Sequence, residues 1–304
     1  MTAPDNSLLD TDGSTDDHVP AVEGRSPRVR VACGGATHPG KVRANNEDHF
    51  LVARLAKSMR ICKSSLPETD STRFSDEEGY LMIVADGMGG AAAGEMASAL
   101  AVWTVERFVL DTLKWFLHFG REESVLAAEL RQGLDRADRE VMQRAQTDGR
   151  LAGMGTTLTM AYSVSSNLYL VHAGDSRAYL FRDGHLEQIT HDHTFVQMLV
   201  DQGKLSPEAA KRHARRNVVT NVIGGPNPGV YAEIHKVRLA DGDLLLLCTD
   251  GLTEPVDDPT IAGILAQHPE PEDACRLLVE AALARGAPDN VTVVVARYAV
   301  LSTG

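Results

Sequence analysis

The chain has 304 residues, of which 30 are Lys or Arg and 42 are Asp or Glu, so its formal net charge is −12. Its 43% content of hydrophobic residues is enough to build a buried core, which excludes a chain that is disordered throughout. The acidic balance argues against a protein that binds nucleic acid or an anionic membrane, because either partner needs a basic surface.

The chain begins with an acidic segment, residues 1–27, which holds six acidic residues, three prolines and a single basic residue, Arg25. Such a segment buries too little apolar surface to offset the entropy lost when it becomes ordered. We therefore predict a disordered acidic tail over residues 1–27, followed by one folded domain over residues 28–300.

Short β-like runs begin at Val29, and several alternate apolar with polar residues as half-buried antiparallel strands do. Asp-Gly dipeptides at positions 183–184 and 241–242 are typical of tight turns between such runs. The predicted strands are Val29–Cys33, Phe50–Leu55, Tyr80–Ala85, Thr156–Val164, Leu168–His172, Ala178–Arg182, Tyr231–Leu239, Leu244–Thr249 and Val291–Tyr298.

Apolar residues at helical spacing predict two long helices, Ala91–Leu117 and Ser124–Gln146, with Gly120 as a break between them. Two further helices are predicted near the C-terminus, over Pro259–Gln267 and Pro271–Arg285. Strands in both halves of the chain and helices in pairs predict an α+β sandwich of two antiparallel sheets flanked by helix pairs.

Two stretches, residues 56–79 and residues 193–225, are too long to be simple turns, and we interpret both as insertions. The second, called the flap below, contains short helical patterns over Phe195–Gln202 and Pro207–His213. Long loops on a rigid scaffold often carry function, so the flap is a candidate functional element.

Five aspartates stand at the ends of predicted strands. Because strand ends converge at one rim of a sheet, these carboxylates can meet there, and like charges that cluster need a positive charge to neutralise them. An all-oxygen set of ligands suits Mg²⁺ or Mn²⁺ better than zinc. The aspartates after strands are Asp86, Asp175 and Asp250, and those just before strands are Asp48 and Asp289.

A group of histidines, His185, His191 and His193, raises the alternative of a zinc site. We favour a structural role, because the histidines lie at a strand end that leads into the flap. Thr194 is then expected to cap the first flap helix, with Asp192 as a neighbour of the acidic site.

Six short motifs occur in order along the chain, and each is weak alone but specific in this combination. Together they resemble the bacterial form of the PP2C-type (PPM) metal-dependent serine/threonine protein phosphatase family, over nearly all of Val29–Val300. The motifs are Gly40-Lys-Val-Arg43-Ala-Asn-Asn46-Glu47-Asp48, Asp86-Gly-Met-Gly-Gly90, Gly155-Thr-Thr157, Gly174-Asp-Ser-Arg177, Thr249-Asp-Gly-Leu252 and Asp289-Asn-Val-Thr292.

The resemblance implies a four-layer sandwich with two central antiparallel sheets and a binuclear Mn²⁺ or Mg²⁺ centre. Asp86 would bridge the two tightly bound ions, and the carbonyl of Gly87 would bind one of them. Asp250 and Asp289 would complete the coordination of the other ion.

Four further roles follow from the same resemblance. Asp48 and Glu47 would lie beside the centre and act through metal-bound water. Asp175 would help to hold a third, weaker ion. Arg43 would clamp the substrate phosphate, for which a guanidinium offers a planar fork of donors.

The implied activity is hydrolysis of phosphoserine and phosphothreonine in proteins by a metal-activated water. Its partners would be phosphorylated proteins, the substrates of Ser/Thr kinases, and not nucleic acid or membrane. The basic flap residues Lys211, Arg212, Arg215 and Arg216 would attract such substrates. Two alternatives stay open: an inactive binding scaffold of the same fold, and a phosphatase dedicated to one regulator, such as an anti-sigma antagonist.

The sequence also predicts the setting in which the protein works. The N-terminus lacks the pattern of a signal peptide, and the four cysteines lie far apart without a C-x-x-C pair. We therefore expect a cytoplasmic monomer with reduced thiols.

Overall fold

The computed structural model describes residues 28–61, 63, 72–111, 123–226 and 229–301. Outside these ranges lie the predicted tail, residues 1–27, the end of the first predicted helix, residues 112–117, and the predicted break at Gly120. The strands in the described part are β1 (Arg28–His38), β2 (Asp48–Arg60), β3 (Thr72–Met88), β4 (Gly155–Thr156), β5 (Leu158–Val164), β6 (Asn167–Ala173), β7 (Arg177–Arg182), β8 (His185–Gln188), β9 (Ile223–Gly224), β10 (Glu233–Arg238), β11 (Leu244–Cys248) and β12 (Val291–Leu301).

The helices lie between these strands, and two of the short ones belong to the flap. Thr194 caps the first flap helix, because its hydroxyl accepts a hydrogen bond from the backbone N–H of Gln197 at 3.2 Å. Among the described residues no helix is both long and apolar enough to cross a membrane. The helices are α1 (Ala91–Asp111), α2 (Glu123–Thr147), α3 (Phe195–Asp201), α4 (Pro207–Ala210), α5 (Asp250–Thr253), α6 (Asp258–Gln267) and α7 (Pro271–Ala284).

The strands form two sheets, and every strand pairing in the described ranges is antiparallel. One sheet has the order β1-β12-β11-β7-β8. The other has the order β10-β6-β5-β3-β4-β9, with β2 also paired to β3. Asp183 and Gly184, at the predicted turn between β7 and β8, both have positive φ, the pattern of a type I′ hairpin turn.

Three apolar clusters separate four layers. Side chains alternate along β3, so Leu81 packs in a cluster with α1 and α2 while Met82 packs between the two sheets. Leu245 and Leu246 of β11 divide in the same way, the first toward the other sheet and the second toward α6 and α7. The predicted sandwich of two antiparallel sheets flanked by helix pairs is confirmed.

Two predicted elements differ from the structure. The stretch 56–79 is not wholly an insertion, because β2 and β3 continue into it and pair as far as Arg60 with Thr72. Backbone pairing in this extension needs no apolar face, so the polar sequence concealed it. The predicted strand Thr156–Val164 is two strands, β4 and β5, which keep one register against β3. The break falls at Thr157, whose hydroxyl, and not its carbonyl, accepts the backbone N–H of Asp86 at 3.0 Å.

Candidate metal centre

The five aspartates gather where strands of both sheets end. Asp86 lies near the end of β3 and pairs in register with Asp48 at the start of β2. Asp175 follows β6 in the same sheet, Asp250 follows β11, and Asp289 precedes β12, the neighbour of β11. All four other aspartates are close enough to Asp86 to act on its charge.

Burial and nearby negative charges raise the pKa values of four carboxyl groups, those of Asp48, Asp86, Asp175 and Asp250. Burial raises the pKa of Asp86 well above its usual range, and the charges of Asp48, Asp250, Asp175 and Asp289 raise it further. Burial is also the main cause that raises the pKa of Asp48, to about 7, and that of Asp250. A cation at this point removes the repulsion, so the cluster has a strong electrostatic preference for one.

Two buried carboxylate oxygens, Oδ1 of Asp48 and Oδ1 of Asp250, have no hydrogen-bond partner in the described structure. Buried polar atoms are nearly always paired, so two unpaired oxygens in one cluster point to a ligand. The atoms that could bind a metal here are all oxygens, which are the ligand atoms that Mg²⁺ and Mn²⁺ prefer. The residues present therefore fit a divalent metal centre.

Gly87 lies where no side chain has room. A Cβ atom there would be 2.1 Å from the carbonyl oxygen of Gly94 and 2.7 Å from that of Glu47. Gly94 of α1 is equally confined, since its Cβ would be 2.0 Å from Oε2 of Glu47. The two glycines thus let α1 and Glu47 close on the Gly87 peptide, and burial raises the pKa of Glu47.

Threonine hydroxyls hold the backbone and side chains of this cluster. The carbonyl of Asp86 accepts from the hydroxyl of Thr156 at 2.8 Å, and its N–H donates to the hydroxyl of Thr157 at 3.0 Å. The hydroxyl of Thr249 donates to Oδ2 of Asp48 at 2.8 Å. Sequence reasoning did not assign these threonines a role, although each stands in one of the six motifs.

Arg43 lies on a loop that Asn290 holds against the cluster. The Nη2 atom of Arg43 is 2.7 Å from Oδ2 of Asp289, and this hydrogen bond is the main cause that raises the pKa of Arg43. The side-chain oxygen of Asn290 accepts the N–H of Glu47 at 2.7 Å, and its amide nitrogen donates to the carbonyl of Asn45 at 2.9 Å. Asn290 is a positioning residue that the sequence analysis missed, and only its place beside Asp289 signalled it.

Asp175 lies beside an ion pair that includes Asp192. Burial is the main cause that raises the pKa of Asp175, to about 7, and the charge of Asp192 raises it further. Arg177 holds Asp192 with both donors of its fork, at 2.8 Å from Nε and 2.6 Å from Nη2. The hydroxyl of Tyr179 accepts a third bond from Arg177 at 2.9 Å. The guanidinium is therefore committed to Asp192 and Tyr179.

A groove of about 770 Å³ opens beside Asp175 and Asp250, between the flap and the segment that joins α5 to α6. Of the four basic flap residues at 211, 212, 215 and 216, Lys211 and Arg216 line it. Arg216 lies 3.6 Å from the carboxylate of Glu254 on the opposite wall. The flap therefore contributes basic side chains to the groove, and Glu254 faces them from the opposite wall.

A second group of ligating side chains, His172, His193 and Glu233, has atoms within 4.8 Å of one another. The Nδ1 atom of His193 accepts from the N–H of Gly174 at 3.2 Å and from the amide of Asn221 at 2.9 Å. The ring proton is thus on Nε2, which lies 3.0 Å from Glu233. A histidine that binds a metal through Nε2 needs a bare nitrogen there, so hydrogen bonding opposes a metal at this group.

Comparison with known proteins extends the likeness over most of the chain. A family model described as Protein phosphatase 2C matches residues 60–285. Serine/threonine protein phosphatase PstP of Mycobacterium tuberculosis is 42% identical over 218 residues, which is 71% of this chain and 40% of that protein. The chain thus matches less than half the length of PstP. Serine/threonine phosphatase stp of Listeria monocytogenes is 34% identical over 218 residues, covering 70% of this chain and 82% of that protein.

Solved structures give the same likeness in three dimensions. The crystal structure of the M. tuberculosis phosphatase PstP/Ppp matches with a TM-score of 0.68 and 38% identity, over 88% of this chain and 98% of that one. The catalytic domain of PstP, solved in complex with two manganese ions, matches with a TM-score of 0.69 and 36% identity, over 89% of this chain and 99% of that one.

Proposed function

The chain belongs to the protein phosphatase 2C family, and on this premise we propose that it hydrolyses phosphoserine and phosphothreonine in proteins with divalent metal ions. The observation that carries the proposal is the buried carboxylate cluster around Asp86, in which Oδ1 atoms of Asp48 and Asp250 lack partners. Such a cluster is costly to a fold unless it binds cations.

We assign Asp86 and the carbonyl of Gly87 to the metal pair, with Asp250 and Asp289 as further ligands. When bound, Mn²⁺ or Mg²⁺ would neutralise these carboxylates, offset charge on the phosphoryl oxygens and lower the pKa of the attacking water. The confinement of Gly87 by α1 supports its assignment, because the peptide cannot easily turn away.

The remaining proposed residues surround this pair. Glu47 and Asp48 would accept hydrogen bonds from metal-bound water, because Asp48 pairs in register with Asp86 and Glu47 closes on the Gly87 peptide. Arg43 would present two donors to the phosphate from the rim of the site. Asp175 would hold a third, weaker ion, because the charge of Arg177 beside it offsets part of its attraction for a cation.

A phosphorylated protein segment is the proposed substrate. The groove beside Asp175 and Asp250 is open along the flap, and a cavity of this size accepts residues on either side of a phosphorylated side chain. We also propose a cytoplasmic monomer. The free thiols of Cys33, Cys248 and Cys275 support a reducing compartment, whereas Cys62 lies outside the described residues.

The test is release of phosphate from a phosphothreonine peptide by the full chain after EDTA has removed its metal. We expect hydrolysis only when Mn²⁺ or Mg²⁺ is restored, and none from Asp86→Asn. Asp183→Asn is the matched control, since Asp183 lies in the exposed turn between β7 and β8. A chain that binds Mn²⁺ and the peptide without releasing phosphate would be an inactive scaffold.

A further inference from the structure

His193 lies where both ends of the flap meet the strand end that carries Asp175. Its backbone N–H donates to the carbonyl of Gly174 at 2.7 Å, and its ring nitrogen Nδ1 accepts the N–H of Gly174 at 3.2 Å. Its carbonyl accepts the backbone N–H of Thr220 at 2.8 Å and the Thr220 hydroxyl at 3.0 Å. The amide of Asn221 donates to the same ring nitrogen at 2.9 Å. The first residue of the flap is thus bonded to residues near its end.

The Gly174 peptide has little freedom to move away from His193. Gly174 has a φ of +124°, and a Cβ atom there would lie 2.5 Å from Cβ of Thr157. Thr157 in turn donates its backbone N–H to the carbonyl of Asp86 at 2.9 Å. Because His193 binds both the N–H and the carbonyl of Gly174, a shift of His193 must move the peptide that precedes Asp175.

The other edge of the His193 ring is held by Glu233. The Nε2 atom of His193 lies 3.0 Å from Oε2 of Glu233. The other carboxylate oxygen, Oε1, accepts the backbone N–H of His191 at 3.0 Å and a bond from His235. Burial opposes ionisation, yet the hydrogen bonds from His193 and His235 hold the pKa of Glu233 at about 2. The ring stacks on His172 with centroids 4.9 Å apart. Both ring nitrogens and one face of the ring are therefore held.

We propose that His193 is a positioning residue that couples the order of the flap to the affinity of the Asp175 loop for the weaker metal ion. The inference rests on the proposed role of Asp175. His193 acts through Gly174 and touches neither substrate nor metal. Loss of the His193 ring removes the partner of the Gly174 N–H and one partner of Glu233. Buried polar groups left without a partner destabilise the folded arrangement of the flap and the Asp175 loop.

The test compares His193→Ala and His193→Asn with His185→Ala, an exposed control histidine on β8. The Asn oxygen can replace Nδ1 as an acceptor for Gly174, but Asn is too short to replace the bond to Glu233. We expect amide exchange over flap residues 195–219 to be at least fivefold faster in His193→Ala and intermediate in His193→Asn. Calorimetry should show the weaker Mn²⁺ bound at least fivefold less tightly in His193→Ala, with the tight pair within twofold. His185→Ala should match the wild type in both measurements.

Wild-type flap exchange in a folded His193→Ala protein would overturn the inference. Faster amide exchange in the flap with an unchanged dissociation constant for the weaker Mn²⁺ would also overturn it, since His193 would then pack the flap without affecting metal binding. If His193→Ala does not fold, His193→Asn carries the same two readouts.

If the wild type shows no Mn²⁺ phase that Asp175→Asn removes, the proposed third ion is wrong. Exchange at the Asp175 amide then replaces the metal constant: faster exchange there together with the flap supports the coupling, and unchanged exchange overturns it.

Discussion

The guanidinium of Arg43 lies 2.7 Å from Oδ2 of Asp289, so the proposed phosphate-binding residue is paired with a proposed metal ligand. The two side chains are 54% and 34% exposed, and ion pairs of such exposure contribute at most about 1 kcal/mol. A metal ion at Asp289 competes with Arg43 for the same carboxylate. Metal binding and the release of Arg43 toward a phosphate are therefore linked.

Replacing Arg43 by Ala should tighten Mn²⁺ binding by up to about fivefold, because an ion pair worth about 1 kcal/mol no longer has to break. The same variant should raise the KM for a phosphopeptide more than it lowers kcat, if the contact with phosphate is similar in the ground and transition states. Calorimetry and steady-state kinetics measure the two effects. Arg43→Lys, which keeps the charge without the fork, should lie between. Weaker Mn²⁺ binding by Arg43→Ala would contradict the linkage.

Replacing Asp250 by Asn should abolish turnover while the metal-free protein keeps its stability or gains some. The amide removes one charge from a cluster in which burial and the charges of Asp175 and Asp289 raise the pKa of Asp250. Thermal unfolding in EDTA and phosphate release in saturating Mn²⁺ are the measurements, with Asp183→Asn as control. More than a tenth of the wild-type rate in Asp250→Asn would remove Asp250 from the proposed ligands.

Replacing Gly94 by Ala should weaken metal binding and destabilise the fold, although Ala is the better helix former by about 1 kcal/mol. The added methyl would lie 2.0 Å from Oε2 of Glu47 and push α1 away from Gly87. Gly263→Ala in α6 is the matched control, since nothing lies within 4 Å of its Cβ, and it should raise the unfolding temperature. A Gly94→Ala protein as stable and as active as Gly263→Ala would show that the close approach of α1 has no role.

The metal-free protein should lose stability as pH rises from about 5 to 8. A carboxyl group whose pKa is raised in the folded state stabilises the fold below its unfolded value and loses that effect as pH rises through the folded value, about 7 for both Asp48 and Asp175. His172 and His49 act oppositely, because burial lowers the pKa of both, that of His172 to about 4, but they are two groups against several carboxyls. Unfolding temperatures in EDTA should fall across this range, and saturating Mn²⁺ should abolish the fall. A rise with pH in EDTA would contradict the charge argument.

Local pattern predicted most of the fold, because the continuous apolar runs in β3 and β11 are typical of strands that are buried on both faces, as these two are. It failed where a single side chain decides, as at Thr157, whose hydroxyl takes the place of its carbonyl as acceptor for the N–H of Asp86. It also failed over residues 56–79, where a polar sequence concealed the continued pairing of β2 with β3. The sequence gives no sign of α5, a single turn of helix that begins at Asp250.

The grouping of the aspartates could be predicted because strand ends in packed sheets converge on a common rim. Their supports could not be predicted in this way. Arg43 and Asp289 are 246 positions apart in the sequence, and Asn290 and Glu47, which are also hydrogen-bonded, are separated by a similar number of residues. The hydrogen bonds that His193 accepts from Thr220 and Asn221 depend on where the end of the flap packs against its beginning. No local sequence pattern encodes that packing.

A manganese anomalous-difference map from crystals of the full chain grown with Mn²⁺ tests the central claim most directly. Two strong peaks are expected at the carboxylate cluster, bonded to oxygens of Asp86, Asp250 and Asp289 and to the carbonyl of Gly87. A weaker third peak should lie at Asp175 and be absent in Asp175→Asn. A map with no peak at Asp86, or with its strongest peak at His172 and Glu233, would contradict the assignment of the carboxylate cluster as the metal centre.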